Sequence, residues 1–165
     1  MDYLWSPWRF RYVSQAEKPG YCVFCDLAAA DPARDRESLV LFRGCHNYVI
    51  LNLYPYTTGH TLIVPYLHVA QFTQLGTDTL AEMMGLAQKV NWALEAVYHP
   101  DGYNMGMNMG KAAGAGVADH VHLHFLPRWE GSANFMTVVG ETRVLPEELM
   151  TTYDKVLPFF REAAR

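Results

Sequence analysis

The segment His120-Val121-His122-Leu123-His124 sets three imidazoles at alternate positions, followed by Phe125. On an extended strand, alternate side chains share a face and each residue rises about 3.3 Å. The histidines then line one face while Val121, Leu123 and Phe125 enter a core. Three chemistries compete for such a row. It can be the polar outer face of a half-buried strand. It can ligate a metal, although positions i and i+4 start about 13 Å apart, which suits one or two of the rings and not three on one ion. It can also attack phosphorus. A neutral imidazole is a nucleophile that needs no base, and its neighbours can fix its tautomer or offer protons to phosphoryl oxygens. The loop just upstream, Met109-Gly-Lys-Ala-Ala-Gly-Ala-Gly116, favours this third reading. Its glycines let backbone N–H groups approach an anion, and Lys111 adds a charge.

Cys22-Val23-Phe24-Cys25 is a second cluster with open alternatives. A redox pair would want a thioredoxin-like context that is missing here, and half a zinc site needs two further ligands. Two small buried apolar residues are the plainer reading. Cys45 falls outside the pattern and reads as packing, as do Met83, Met84, Met105, Met107 and Met109. His46 and His99 sit at turn-like, solvated positions.

The elements that position these residues follow from patterning. SLVLFR from Ser38, HNYVILN from His46 and HTLIVP from His60 are β-rich runs separated by turn signals. Between Thr77 and Tyr98 the period changes, and Leu80, Met83, Met84, Ala87, Val90, Leu94 and Val97 share a helical face that Pro100-Asp101-Gly102 ends. Tyr103 to Met109 alternates as a strand, and His120 to Pro127 forms another. Asp31 to Glu37 reads as a helix end or loop. Pro146 to Ala164 reads as a closing helix opened by Pro146, Glu147 and Glu148, with Pro158 placed to break it. Residues 1–20 form an aromatic arm carrying Trp5, Trp8, Phe10 and Tyr12, and residues 21–165 form one domain. The expected class is α+β with an antiparallel sheet.

Composition narrows the function classes. The chain has 165 residues, half of them hydrophobic, which fits one domain with an ordinary core. Thirteen Lys and Arg against seventeen Asp and Glu give a net charge of −4, which disfavours a duplex nucleic-acid partner. No apolar run approaches the roughly 20 residues of a membrane span, and the N-terminus lacks the uninterrupted apolar stretch of a secretory signal. Three cysteines, an odd number, point to a reducing compartment such as the cytoplasm.

The histidine row with its following apolar pair, His120 to Leu126, resembles the signature of the histidine triad nucleotide-binding proteins. The block Asn52-Leu-Tyr-Pro-Tyr-Thr-Thr-Gly-His60-Thr-Leu-Ile-Val-Pro65, with His68 beyond it and Asn108 before the glycine loop, extends the likeness over Cys22 to Arg128. The Leu4-Trp-Ser-Pro-Trp-Arg9 block, Pro127 to Met136 and Thr142 to Pro146 look like the bacterial diadenosine tetraphosphate phosphorylase and hydrolase branch.

The resemblance implies a fold of about five antiparallel strands with a long helix and a C-terminal helix, usually as a homodimer sharing a longer sheet. It implies cleavage of a dinucleoside polyphosphate through a nucleotidyl-histidine, with phosphate or water as acceptor. His122 would be the nucleophile, His124 would assist the leaving group, His120 would orient the imidazole network, and His60 would hold the nucleophile's ring from behind. Asn52 would bind the ribose and Asn108 the α-phosphate region, with Lys111, Gly116 and Arg128 near the phosphates. Arg128 could equally pair with Glu130, and Trp129 could stack on adenine or pack in a dimer. Zinc-bearing relatives imply a structural zinc on Cys22, Cys25, His68 and His120, with no metal needed for the chemistry. Where many members carry a Gln-Ser or Gln-Thr donor before the triad, this chain reads Ala115-Gly116-Val117. The alternatives are a nucleoside phosphoramidase, a non-catalytic nucleotide-binding module or a metal-dependent hydrolase.

Overall fold

A computed structural model describes residues 22–131 and 145–161. In chain order the elements are α1 (Val23–Ala29), β1 (Val40–Arg43), β2 (Asn47–Leu51), β3 (Thr61–Pro65), α2 (Thr77–Tyr98), β4 (Gly102–Met107), β5 (Leu123–Arg128) and α3 (Leu149–Arg161). The five strands form one antiparallel sheet in the order β1-β2-β3-β5-β4. The expected architecture is present. The N-terminal arm and most of the Pro127 to Pro146 stretch lie outside the described residues.

Alternation gives the sheet two working faces. Register pairs Ile50 with Leu62, Leu62 with His124 and His124 with Gly106, so these residues share one face. Leu123, Phe125 and Tyr103 point to the other, where the Tyr103 hydroxyl donates to Glu95 of α2 at 2.8 Å. α2 has the bounds its periodicity predicts and ends on His99 in a left-handed cap, φ 44°. It buries Met83, Leu86, Ala87, Val90, Ala93 and Leu94, each of the larger residues contributing about 1.5–3 kcal/mol. α1 lies on the histidine face, where the buried Tyr48 hydroxyl donates to the Phe24 carbonyl at 2.9 Å.

Several expectations need correction. The histidine strand starts at Leu123, so His120 and His122 precede it. β3 ends on Pro65, which has no N–H to continue the ladder, and Val121 instead donates to the Val69 carbonyl. β4 stops at Met107, leaving Met109 outside. Met84, Met105 and Met109 are exposed, because the buried stripe of α2 runs through Leu86 instead and β4 is an edge strand. Cys45 is also exposed, at the turn between β1 and β2. Asp31 to Glu37 is a loop, as expected, with one 3-10 turn, Pro32–Arg34. The closing helix begins at Leu149, not at Pro146, and runs through Pro158 without breaking. Pro158 is exposed, so water can serve the carbonyl it leaves unbonded.

Candidate functional site

The three histidines are buried, as is His60, and their ring nitrogens fall into two connected groups. The first group is His122, bonded to backbone, beside a proton chain of His60 and His124. His122 Nδ1 lies 2.9 Å from the His120 carbonyl oxygen, which can only accept. Nδ1 therefore carries the proton, and Nε2 keeps the lone pair. His60 Nδ1 receives the Tyr56 backbone N–H at 3.1 Å, so its proton sits on Nε2, which is 2.9 Å from His124 Nδ1. His124 then accepts at Nδ1 and carries its own proton at Nε2. Tyr56 stacks on His124 at 6.0 Å with 11° between the planes.

Burial keeps these rings neutral. It pushes His60 down to about 3 and His124 down to about 4, with neighbouring histidines adding to the shift. It lowers His122 as well, against an opposing pull from the His120 carbonyl. A neutral ring with a free lone pair is what nucleophilic attack requires.

The second group is a donor cluster. His120 Nε2 donates to the Pro65 carbonyl at 2.9 Å, which turns the Nδ1 lone pair toward Cys22 Sγ at 3.3 Å, Cys25 Sγ at 3.6 Å and His68 Nδ1 at 3.2 Å. Cys25 Sγ is 3.2 Å from His68 Nδ1, and all four donors lie within 4.8 Å of one another. The edges of a tetrahedron around zinc, from metal–nitrogen and metal–sulfur bonds of about 2.0–2.3 Å, are of this length. Two thiolates and two neutral imidazoles would balance a divalent charge, so the residues fit such an ion. Burial, then Cys22, pushes the Cys25 thiol up to about 11, so binding a metal there would release a proton.

Phe24, between the two cysteines, packs its ring 4.8 Å from that of His122 and 5.4 Å from that of His120. Arg43 secures the other end of α1, donating to the Leu27 and Ala28 carbonyls at 2.9 Å and to Asp35 at 2.8 Å. The β4–β5 register ends at Met107 opposite Leu123, and Asn108 and His122 are the next residues beyond that pair. Opposite His124 is Gly106, where an added Cβ would meet nothing within 4 Å. Gly106 is exposed, so this side of the third histidine is open.

Other sequence candidates are placed differently. His60 bonds to His124 and not to the ring of His122. Asn52 lies on His60, its Nδ2 3.2 Å from Nδ1. Lys111 and Gly116 are exposed in the loop, and among the described residues no hydrogen bond ties them to the histidines. Arg128, four residues along β5 from His124, is about 13 Å away by rise and donates to Asn104 at 3.2 Å. Trp129 donates to the Tyr98 carbonyl at 3.4 Å and packs on the end of α2. Phe24, Gly106 and the Tyr56 amide were missed as functional groups; Phe24's place inside the Cys-x-x-Cys motif was the one available signal.

Residues 33–131 match the HIT domain family. The chain belongs to that family. An AP-4-A phosphorylase from Mycobacterium tuberculosis is 38% identical over 161 residues, covering 90% of this chain and 79% of the relative. Among solved structures, a Zn-bound histidine triad family protein from Mycobacterium smegmatis superposes with a TM-score of 0.67 at 27% identity, covering 87% of this chain and 95% of that one. A hypothetical histidine triad nucleotide-binding protein from Sulfolobus tokodaii gives 0.63 at 28% identity, covering 86% and 91%. The chain thus shares its fold with these solved structures. No helix among its described residues is long and apolar enough to cross a membrane.

Proposed function

We propose that the protein is a nucleotide-cleaving enzyme acting on dinucleoside polyphosphates, with diadenosine tetraphosphate as the preferred substrate. The observation that carries this reading is the His122 Nδ1 bond to the His120 carbonyl, which leaves Nε2 as a neutral nucleophile. The 38% identity to an AP-4-A phosphorylase over 90% of the chain supports the substrate class. His122 attacks the α-phosphorus, and the remaining nucleotide departs past the Nε2–H of His124. Phosphate or water then resolves the nucleotidyl-histidine, releasing ADP or AMP. Asn108 and the backbone of the Gly110 to Gly116 loop would serve the phosphates, and the open Cβ position of Gly106 leaves room beside His124. Fixed donors around the phosphoryl oxygens supply most of the rate in such a site.

Cys22, Cys25, His68 and His120 would hold a zinc ion whose role is structural, since four protein donors leave no position for water. The Zn-bound relative from M. smegmatis supports that choice of metal. We place the working enzyme in a reducing compartment, as three unpaired cysteines suggest, and as a homodimer. Chromatography of products from diadenosine tetraphosphate tests the reading. ADP plus ATP that appear only with added phosphate identify a phosphorylase, and AMP plus ATP without it identify a hydrolase. His122→Ala should abolish turnover and retain AMP binding; full turnover in that variant overturns the nucleophile assignment.

A further inference from the structure

The histidine face of β5 continues past the last histidine. His124, Leu126 and Arg128 alternate on it, and an unbroken register sets Gly106, Asn104 and Gly102 of β4 beside them. Arg128 Nη1 donates to Asn104 Oδ1 at 3.2 Å, and Asn104 pairs with Leu126, one step nearer the histidines than Arg128 itself. The guanidinium is therefore drawn back along the strand toward His124, to a level about 7 Å beyond it by rise. On the β4 side, only Gly106 stands between the two, and its Cβ position is open.

The group that holds Arg128 is neutral. Arg34, Arg36 and Arg43 each meet a carboxylate, at 3.1, 2.7 and 2.8 Å. Arg128 meets an amide oxygen and, among the described residues, pairs with no carboxylate. Its charge is oriented without being cancelled, on an exposed side chain of a protein whose net charge is −4. A guanidinium presents a planar fork of N–H donors, and Asn104 takes up one nitrogen of it. The donors left over match the oxygens of a phosphate, which the fork can bind in pairs.

We propose that Arg128, tilted by Asn104 as a positioning residue, receives the leaving-group phosphates that lie beyond the breaking bond, and so favours a long polyphosphate over a short one. The inference rests on the polyphosphate reading above. Nucleophile, leaving-group donor and free cation then follow in order along one strand face as His122, His124 and Arg128. In the first step the His122 Nε2 lone pair forms a bond to the α-phosphorus. The bond from phosphorus to the bridging oxygen breaks, and its electron pair goes to that oxygen, which faces His124 Nε2–H. The nearest departing phosphate lies at His124, and only phosphates further along the chain extend to the level of Asn104. Diadenosine tetraphosphate departs as ATP and diadenosine triphosphate as ADP, whereas an aryl ester of AMP departs with no phosphate. The contact with Arg128 weakens along that series.

The test uses the full-length protein and the variants Arg128→Gln, Arg128→Lys and Asn104→Asp. Calorimetry reads the affinities for AMP and for ATP. Steady-state assays read kcat and KM on diadenosine tetraphosphate and on the p-nitrophenyl ester of AMP. Loss of a charge-assisted contact to phosphate should lower the ATP-to-AMP affinity ratio about tenfold in Arg128→Gln. The ratio of kcat/KM on the tetraphosphate to kcat/KM on the ester should fall with it. Arg128→Lys keeps the charge without the fork and should recover part of both ratios. Asn104→Asp puts a carboxylate where the amide oxygen stood, cancels the guanidinium charge and should lower both ratios as well. Unchanged ratios in Arg128→Gln overturn the proposal, as do equal losses on both substrates, which a merely structural role would give. A wild type that cleaves neither substrate would sink the polyphosphate reading, and the ATP-to-AMP affinity ratio would still decide whether Arg128 holds the distal phosphates.

Discussion

At the scale of single residues, the site is built of buried neutral imidazoles, and that has a cost in acid. His60 and His124 would titrate near 6.5 in the unfolded chain, and burial lowers them to about 3 and about 4 in the fold. Between those values the unfolded chain binds more protons, so stability falls as pH drops from about 6.5 toward 4. Each ring contributes a slope of up to about 1.4 kcal/mol per pH unit, and above the unfolded value neither contributes. Urea midpoints measured from pH 7.5 to 4.5 should decline in that window, and His124→Gln should flatten the decline. An unchanged slope in the variant would contradict the buried neutral ring. Gly106 offers a contrasting test, because it pairs with His124 and its Cβ position is open. Gly106→Val suits a strand and should leave the thermal midpoint within a few degrees while cutting turnover at least tenfold. The alternation of His120, His122 and His124 exposed this chemistry in the sequence. The proton chain was not legible there, because His60 and His124 are 64 positions apart and the order of their protons depends on the Tyr56 amide.

At the scale of elements, α1 acts as a clamped lever. Its N-terminal end carries Cys22 and Cys25 into the donor cluster, Arg43 holds the carbonyls of its last turn, and Phe24 between them presses on His122. Arg43 is mostly buried and paired with Asp35, so removing its guanidinium strands a carboxylate and two carbonyls. Arg43→Met should cost about 2–4 kcal/mol in urea unfolding. If Phe24 is seated through this clamp, the same variant should lower kcat more than it raises KM. Gly59 shows a second fixed point. With φ at +77° and a Cβ that would stand 2.9 Å from Leu94 Cδ2 and 3.3 Å from Pro127 Cγ, it admits no side chain in the turn leading to His60. Of these elements, α2 was the most legible, since a 22-residue amphipathic helix repeats its signal through six turns. α1 was not legible: seven residues are too few to show a period, and the donors and Arg43 that hold it come from distant positions.

At the scale of the whole molecule, the two edges of the sheet are treated differently. β1 has four residues and a register shift between Val40 and Phe42. Its Val40 N–H is taken by the Asp35 carbonyl and its Val40 carbonyl by the Tyr153 hydroxyl, so little of that edge can pair with another strand. β4 has six residues, pairs only with β5 among the described residues, and leaves Met105 exposed. Trp92 on α2, the helix that Tyr103 of β4 touches, is 68% exposed. An edge open among the described residues and flanked by exposed apolar side chains invites a second strand, and an antiparallel copy of β4 would continue the sheet through a two-fold axis. The expected solution species is therefore a dimer of the 18.8 kDa chain. Sedimentation equilibrium should return twice that mass, and Met105→Lys combined with Trp92→Glu should shift it toward the monomer. Both substituted positions are exposed, so the monomeric variant should keep its core and its histidine chain. A wild-type chain that sediments as a monomer would mean that something other than a second copy covers the β4 edge.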